Sequence, residues 1–444
     1  MSGLIDRLRG ALGALRAPAP PNPPAAPAIG VPEMLGALGA ALLSSSRAAS
    51  DVEEILHSLA TAYDRPHLRT FVLPTLVLVE DPGVSGERTS IFPVTGGALR
   101  LDQTGDLERL ITRAGTTRMA PPDVVDELDR IRASRPRFGI VVTILGHAIL
   151  TVGFGLVLNP TAAALPVYLA LGLIVGTIVV LGSRLATLAL ILPVATAFVV
   201  TLLTGMFIAP IIGDDAIRLV APALVSFLPG LTLTLAAVEL TNAQVVAGAS
   251  RMVYGIAQLG LLSFGVFAAI TVMHEHAATT PPAQLGPWAP WLGVVLTAIG
   301  YTLFSVAPRG AFPWILFALV VAYAAQTLGS VLVGAELSGF VGAVVVIPVV
   351  HLVRRLRWAP PSPVMLTCAY WLLVPGALGF IGLSEATAGA DGAANTIVQT
   401  FVSLVAIAIG MVVGAGFSRD VSAVTRAWRR PPQTAPAAAQ PPSR

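Results

Sequence analysis

The chain has 444 residues, of which 55% are hydrophobic and only 11% are charged, and its mean hydropathy is +0.79. Because soluble proteins carry about 25% charged residues, this composition excludes a purely soluble protein. The net charge of +3 is too small to indicate nucleic-acid binding, and the single cysteine, Cys368, excludes a disulfide within the chain or a cysteine-based zinc site.

The few charges are unevenly distributed along the chain. Only seven Arg and seven acidic residues lie between Phe138 and Phe417. We therefore predict a membrane region flanked by polar segments. The predicted segments are an amphipathic N-terminus and Pro/Ala linker over residues 1–32, a cytoplasmic α/β domain over 33–137, membrane repeats over 138–273 and 288–416, and a disordered cytoplasmic tail over 417–444.

The segment 33–137 has the pattern of a small α/β domain. Helices are predicted at Met34–Leu43, from Ser50 with a capping box to Glu53, at Asp106–Arg113 and at Pro122–Ala133. The β-branched runs Thr70–Val79 and Thr89–Val94 flank the turn-rich sequence DPGVSGE and predict a hairpin. The segment contains no recognisable nucleophile–base pair, metal-ligand cluster or phosphate loop, so we expect neither an enzyme nor a cofactor.

Ten apolar runs follow, each of about the 17–25 residues needed to cross a bilayer. They are 138–158, 164–182, 185–209, 217–238, 252–273, 288–306, 311–328, 333–353, 363–383 and 394–416. With both termini in the cytoplasm, fourteen arginines around these runs lie on the cytoplasmic side and only Arg218 lies outside. This bias predicts a multi-pass membrane protein with both termini in the cytoplasm.

Several sequence features recur after nearly constant intervals. Phe227-Leu-Pro-Gly230 and Leu373-Val-Pro-Gly376 are 146 residues apart, and Leu181-Gly-Ser183 recurs 147 residues later at Leu328-Gly-Ser330. Two repeats of five helices each must have opposite orientations, because five is odd. The predicted fold class is therefore an α-helical polytopic membrane protein with ten transmembrane helices in two inverted repeats, an architecture found in secondary transporters.

The two Pro-Gly pairs predict broken helices, whose exposed backbone groups are tolerated only where they line a cavity. The helix N-terminus after a break favours a carboxylate, and free carbonyls accept from an ammonium group. The alternative for each proline is a kink that serves helix packing alone. The alternative for the nearby threonines is a hydroxyl that donates to a backbone carbonyl of its own helix. The predicted substrate-binding residues are Pro229, Gly230, Thr232, Thr234, Asn242, Pro375 and Gly376.

Three ionisable side chains near or within the membrane are candidates for coupling to protons. Glu239 is predicted at the cytoplasmic end of the fourth helix, and Glu336 lies about one turn inside the eighth. His147 lies near the middle of the first helix. The alternatives are carboxylates that reach water at the interface and a buried neutral histidine bonded to a backbone carbonyl.

Three stretches, Ala41–Ala62, Thr70–Val94 and Leu228–Arg251, resemble the bacterial threonine/serine exporter family. The resemblance covers about residues 33–417, and Val374-Pro-Gly is similar to the motif of the family's second half. In the first half, the residues that match the motif are Pro229, Gly230, Thr234, Glu239, Gly248 and Arg251. The chain departs from the family pattern at Leu235, Val238 and Gln244, where Asn, Arg and Asp are common.

This resemblance implies export of threonine and serine across the bacterial inner membrane, driven by the proton gradient, with Gly248 and Arg251 as structural residues of the motif. The expected partners are a small amino acid, protons and the lipid bilayer, with a homo-oligomer left open and no nucleic acid. Two alternatives remain open at this stage. One is an exporter of dicarboxylates such as succinate, and the other is a membrane-anchored enzyme or sensor that uses the N-terminal domain.

Overall fold

The computed structural model describes residues 29–82, 88–95, 97–182, 186–273, 283–334, 337–354, 356, 358–373, 380–384, 398–399, 401–403 and 405–417. The part of the chain that the structure describes is mostly helical, with 74% of those residues in helices. The predicted amphipathic helix at the N-terminus and most of the predicted tail lie outside the described residues.

The first elements among the described residues are four helices and a three-stranded antiparallel sheet in the order β1-β2-β3. They are α1 Val31–Ser44, α2 Ala49–Ala62, β1 Arg69–Leu73, β2 Leu76–Asp81, β3 Arg88–Pro93, α3 Leu101–Thr117 and α4 Pro121–Ala133. Alternate residues of β2, Val77 and Val79, are buried against Leu38 and Leu56 of the helices. Every second side chain of the strand is apolar and buried, as is one face of each helix, and together these side chains form one core.

Two local predictions for this region were wrong. Thr70–Val79 is not one strand, because Pro74 and Thr75 form a two-residue turn that pairs Leu73 with Leu76; proline has no N–H and its φ suits a turn. The capping box of Ser50 does not form, because α2 begins one residue earlier, after the N-cap Ala48.

The remaining described helices are strongly apolar. They are α5 Ile140–Leu158, α6 Leu165–Gly182, α7 Ala186–Phe207, α8 Ala209–Ile212, α9 Ala216–Val220, α10 Gly230–Thr241, α11 Val245–Met273, α12 Ala289–Phe304, α13 Phe312–Val333, α14 Ser338–Val353, α15 Ser362–Leu372 and α16 Phe401–Phe417. Each predicted apolar run overlaps at least one of them. Among the described helices, α5, α6, α11 and α13 are long and apolar enough to cross a membrane, and the count of ten spans stays a prediction.

The described contacts made by connections of the apolar helices lie at two opposite ends of the helical region. At one end, the α5–α6 connection contacts two others: Leu285 N donates to Pro160 O at 2.7 Å, and Asn159 donates to Asp214 Oδ2 at 3.0 Å. At the other end, the N-terminal domain contacts the α12–α13 connection, where Leu101 N donates to Ser305 O at 3.1 Å. The α10–α11 connection also contacts this domain. These contacts separate the two sets of loops into which the arginine bias divides the chain, and the side of the membrane that each set faces stays a prediction.

Helices α5 and α12, the first helix of each predicted repeat, cross in close antiparallel contact through glycines. A Cβ added at Gly146 would lie 2.7 Å from Leu303 Cβ, and one added at Gly293 would lie 2.9 Å from Leu156 Cβ. A shift of 147 residues exchanges these two contacts. The same shift exchanges the contacts of Gly153 with Thr297 and of Gly300 with Leu150. A two-fold axis between equivalent helices produces this reciprocal pattern.

Candidate functional site: a broken helix and a cavity beneath the N-terminal domain

The chain between α9 and α10 leaves the helical conformation before Pro229. A 3-10 turn, Val225–Phe227, is followed by Leu228 in an extended conformation (φ −69°, ψ 129°), and α10 begins at Gly230 with Pro229 as its N-cap. Proline disfavours the helical conformation of the residue before it and has no N–H to continue the helical bonding. The fourth apolar run is therefore discontinuous at the Pro-Gly pair.

Side chains from two other helices satisfy the polar groups near this break. Gln258 of α11 donates its amide to Phe227 O at 2.9 Å. His147 of α5 lies with its Nε2 3.0 Å from Ser226 Oγ. Because an unsatisfied polar group is costly away from water, these bonds stabilise the broken conformation.

His147 is completely buried and both of its ring nitrogens have partners. Its Nδ1 lies 3.0 Å from the carbonyl oxygen of Gly172, which can only accept, so Nδ1 carries the proton and donates. In the neutral imidazole, Nε2 then accepts from the Ser226 hydroxyl. The ring fits there because Gly176 has no side chain: a Cβ at that position would lie 2.9 Å from His147 Cβ.

The two threonines after the break differ in environment. Thr234 is buried and its hydroxyl donates to Gly230 O at 2.8 Å, which is the back-bonded arrangement within one helix. Thr232 is half-buried. Neither residue lines the cavity described below.

Glu239 is completely buried at the contact between the helical region and the N-terminal domain. Its Oε2 lies 3.1 Å from Arg251 Nε, and its Oε1 accepts from the backbone N–H of Ala49 at 2.9 Å. Ala49 is the first residue of α2, where backbone N–H groups lack partners within the helix and the helix dipole favours a negative charge. The capping box predicts that the Ser50 side chain accepts from a backbone N–H at the start of α2. In the structure, the Glu239 carboxylate is the side chain that accepts there.

Further contacts fix the same surface. Arg251 donates to Arg47 O at 3.2 Å, and Gln244 donates to Glu53 Oε2 at 3.0 Å. Gly248 lets α11 approach α10 closely, since a Cβ there would lie 2.8 Å from Ala236 O. The motif residues Glu239, Gly248 and Arg251 therefore hold the α10–α11 hairpin and dock the N-terminal domain onto it.

A cavity of about 510 Å³ lies between the N-terminal domain and the apolar helices. One wall belongs to the N-terminal domain and is formed by Ser45, Ser46, Arg47, Ala48 and Asp51. The facing walls belong to α10, α14, α15 and α16. One face of α10 contributes four lining residues spaced by about one helical turn: Leu231, Leu235, Val238 and Asn242. Since Leu231 follows Gly230, the cavity extends from the N-terminal domain to the helix break.

The lining of this cavity carries both signs of charge. Its charged side chains are Arg47, Asp51 and Arg354, and His351 lies among them. Arg47 is already paired with Glu108, with 2.5 Å between Nη2 and Oε1. Besides this ion pair, the lining includes one further arginine, Arg354, and one aspartate, Asp51.

The predicted site residues are only partly brought together. Asn242 lines the cavity, Pro229 and Gly230 form the break, and His147 is linked to the break through Ser226. Glu336, Pro375 and Gly376 lie outside the described residues. Sequence reasoning missed Arg47, Asp51 and Arg354, because nothing in the local pattern relates a loop of the N-terminal domain to helices more than 180 residues away.

The comparison with known families identifies the family of the chain. A family model described as "Putative threonine/serine exporter" matches residues 33–273. The chain belongs to the threonine/serine exporter family. The match begins in the N-terminal domain and ends with α11, so it includes the break, the Glu239–Arg251 ion pair and the domain contact. The predicted resemblance is confirmed over residues 33–273, and no curated protein and no solved structure matches the chain.

Membership of this exporter family agrees with a membrane-embedded transporter of small molecules. The apolar helices and the discontinuous helix agree with such a protein. The non-enzymatic role expected from the sequence is consistent with the family as well.

Proposed function

We propose that this protein exports threonine and serine from the cytoplasm in exchange for protons. The observation that carries the proposal is a cavity that reaches a broken helix and has charges of both signs on facing walls, in a member of this exporter family. A free amino acid carries one charge of each sign, so this lining suits it better than a dianion such as succinate.

The preference for hydroxy amino acids follows from the hydroxyl groups around the cavity. They belong to Ser45, Ser46, Ser362, Thr367 and Tyr370. Two of them already donate to backbone carbonyls, Ser45 to Leu42 O and Thr367 to Pro363 O, and their oxygens can still accept. A threonine or serine hydroxyl can donate to such an oxygen, whereas an aliphatic side chain cannot.

The break in the fourth apolar run supports transport by alternating access. Short helices joined by irregular backbone can reorient with a smaller loss of hydrogen bonds than a continuous helix. Inverted repeats, in addition, give a transporter two related conformations that open to opposite sides. The reciprocal contacts of α5 and α12 support this repeat. We infer that the cavity is the cytoplasm-facing part of the solute path.

Among the candidates for proton coupling, the contacts of His147 support it best. A neutral His147 accepts from Ser226, whereas a protonated one donates from both nitrogens, so the Ser226 hydroxyl must turn and donate elsewhere. Proton uptake at the imidazole would thereby change the hydrogen bonding at the helix break. The contacts of Glu239 support a docking role instead, and Glu336 remains a second candidate.

Ligand-induced stabilisation of the purified protein tests the substrate class directly. We expect threonine and serine to raise the thermal unfolding temperature in a concentration-dependent manner, because a ligand that binds the folded state stabilises it. Valine and succinate are the matched comparisons. A larger shift with succinate than with threonine would instead identify a dicarboxylate exporter.

A further inference from the structure

We propose that the start of α15 and the side chain of Arg354 bind the carboxylate group of the transported solute, with the Ser362 hydroxyl as a hydrogen-bond donor to it. The inference rests on the proposed function and extends it, because it assigns one chemical group of the solute to a defined part of the cavity. Both residues belong to the second predicted repeat and lie beyond residues 33–273, which match the family.

Ser362 is a buried donor without an acceptor in the lining of the cavity. Its exposed fraction is 5%, and its Oγ forms no hydrogen bond within the part of the chain that the structure describes. Two other hydroxyls of the lining, those of Ser45 and Thr367, donate to backbone carbonyls instead. A buried hydroxyl without a partner is costly, so an acceptor on a bound solute would stabilise this arrangement.

Ser362 is also the first residue of α15, a helix of 11 residues. Its N-cap, Pro361, makes no side-chain hydrogen bond to the helix, and the first turn contains no acidic residue. Backbone N–H groups at a helix start lack partners within the helix, and the helix dipole favours an anion there. One face of α15 continues along the cavity from this start and contributes Pro363, Leu366, Thr367 and Tyr370.

Arg354 provides a positive charge in the same cavity. It follows α14 directly, lines the cavity and is exposed, so that a solute can reach its guanidinium group. Among the described residues Arg354 forms no ion pair, whereas Arg47 of the lining is paired with Glu108. A guanidinium group binds a carboxylate through two parallel hydrogen bonds. Arg354 and the start of α15 are therefore both complementary to a carboxylate group.

The rest of the cavity suits a small organic anion. The wall formed by α10 is apolar at Leu231, Leu235 and Val238. The volume of about 510 Å³ lies within the range of roughly 300–1,000 Å³ that is typical of ligand pockets. An amino acid or a dicarboxylate has a carbon chain to place against the apolar wall, whereas inorganic phosphate has none. The proposal therefore assigns the group that these two solutes share, the carboxylate.

Titration of the purified full-length protein with threonine and with threoninamide tests the site. Threoninamide keeps the side chain and the ammonium group but lacks the carboxylate. At a pH that keeps both amines protonated, we expect the wild type to bind threonine roughly tenfold or more tightly, because the amide loses the charge-assisted hydrogen bonds. In Arg354→Gln this ratio of affinities should fall towards one. Equal affinities of the wild type for the two compounds would overturn the proposal.

Matched variants separate a binding role from a general effect of charge or stability. Arg309→Gln removes an exposed arginine of the α12–α13 connection that does not line the cavity, and it should keep the wild-type ratio. Ser362→Ala should weaken threonine binding more than threoninamide binding, because a hydrogen bond to a charged acceptor is the stronger one. Each ratio compares two ligands on one protein, so a partly misfolded variant still gives a valid ratio. Equal ratios in Arg354→Gln and Arg309→Gln would contradict the role of Arg354.

Titration with succinate and transport measurements separate this inference from the proposed function. If succinate binds in an Arg354-dependent manner and threonine does not bind, the carboxylate site stands and threonine export is wrong. If threonine is transported but its affinity does not depend on Arg354, the carboxylate site is wrong and the exporter function stands. Binding of neither compound would overturn the carboxylate site.

Discussion

The carboxylate of Glu239 accepts a hydrogen bond from the backbone N–H of Ala49 at 2.9 Å, although the two residues are 190 positions apart in the chain. The same carboxylate is paired with Arg251 and is completely buried. Glu239 therefore caps the first helix turn of α2 and connects the N-terminal domain to the α10–α11 hairpin.

Removal of this carboxylate is expected to weaken the docking of the domain. Glu239→Ala leaves the Arg251 charge without its partner and the Ala49 N–H without its acceptor, and loss of one member of a buried pair costs about 3–5 kcal/mol. Faster amide hydrogen exchange in Ala49–Val52 and a lower thermal unfolding temperature would report this loss. Asp126→Ala, at an exposed position of α4, is the control. Unchanged exchange in Glu239→Ala would refute the docking role.

Neutralising both partners of the ion pair is expected to be less damaging than neutralising the glutamate alone. Glu239→Gln keeps an acceptor for Ala49 N–H but leaves Arg251 unpaired, whereas Glu239→Gln/Arg251→Gln removes both charges. A double-mutant cycle of thermal stabilities measures the coupling between the two positions. Additive losses would mean that the two side chains do not interact energetically.

The sequence predicts much of the architecture and little of this contact. Hydrophobic run lengths locate the apolar helices, and the Pro-Gly pair locates the start of α10. The capping prediction at Ser50 failed because local pattern cannot show that a carboxylate from a distant helix occupies the end of α2. Pro74 itself indicates the turn, but the β-branched residues on both sides of it favour one continuous strand, and this pattern gives the wrong prediction.

His147 is predicted to affect the coupling to protons more than the movement of substrate. His147→Gln keeps an amide that can bond near Ser226 but cannot change its charge. In proteoliposomes we expect exchange of labelled for unlabelled threonine to continue, while accumulation driven by a pH gradient is lost. Ser226→Ala provides the comparison because it removes the hydroxyl and leaves the imidazole. Gradient-driven accumulation at the wild-type rate in His147→Gln would exclude this histidine from coupling.

The reciprocal contact between α5 and α12 predicts equal effects of equivalent substitutions. Gly300→Ala would place a Cβ 2.3 Å from Leu150 N, and Gly153→Ala would place one 2.5 Å from Thr297 N. Each should destabilise the protein by about 1–3 kcal/mol, because the helices must move apart. Gly260→Ala in α11 has nothing within 4 Å of the added carbon and should be neutral or slightly stabilising. Thermal unfolding of the three variants checks the symmetry, and a large difference between Gly153→Ala and Gly300→Ala would argue against it.

Discrimination between threonine and valine tests the role of the hydroxyl-lined cavity. The two side chains have nearly the same shape, but only threonine can donate to an oxygen such as that of Thr367. We expect valine to bind roughly 10–100-fold more weakly, since an unsatisfied polar group in a site costs about 1–3 kcal/mol. Titration of the purified protein with each amino acid gives the two affinities and their ratio. Equal affinities would show that the site does not read the hydroxyl.

The site is less predictable from the sequence than the helices are. The resemblance of Leu228–Arg251 to the family locates the motif, but it does not distinguish residues that contact substrate from residues that dock a domain. Glu239 and Arg251 form a domain contact in the structure, while Asp51 and Arg354 line the cavity from segments with no shared motif. Only the three-dimensional arrangement relates these segments.

The central claim is that the protein exchanges threonine for protons, and flux into proteoliposomes measures this exchange. With a vesicle lumen more acidic than the bath, protons leave through the protein and labelled threonine should accumulate inside. With the gradient reversed or collapsed, accumulation should disappear, while exchange at equilibrium continues. Threonine uptake no faster than in protein-free vesicles, or uptake at one rate under every imposed pH gradient, would contradict the claim.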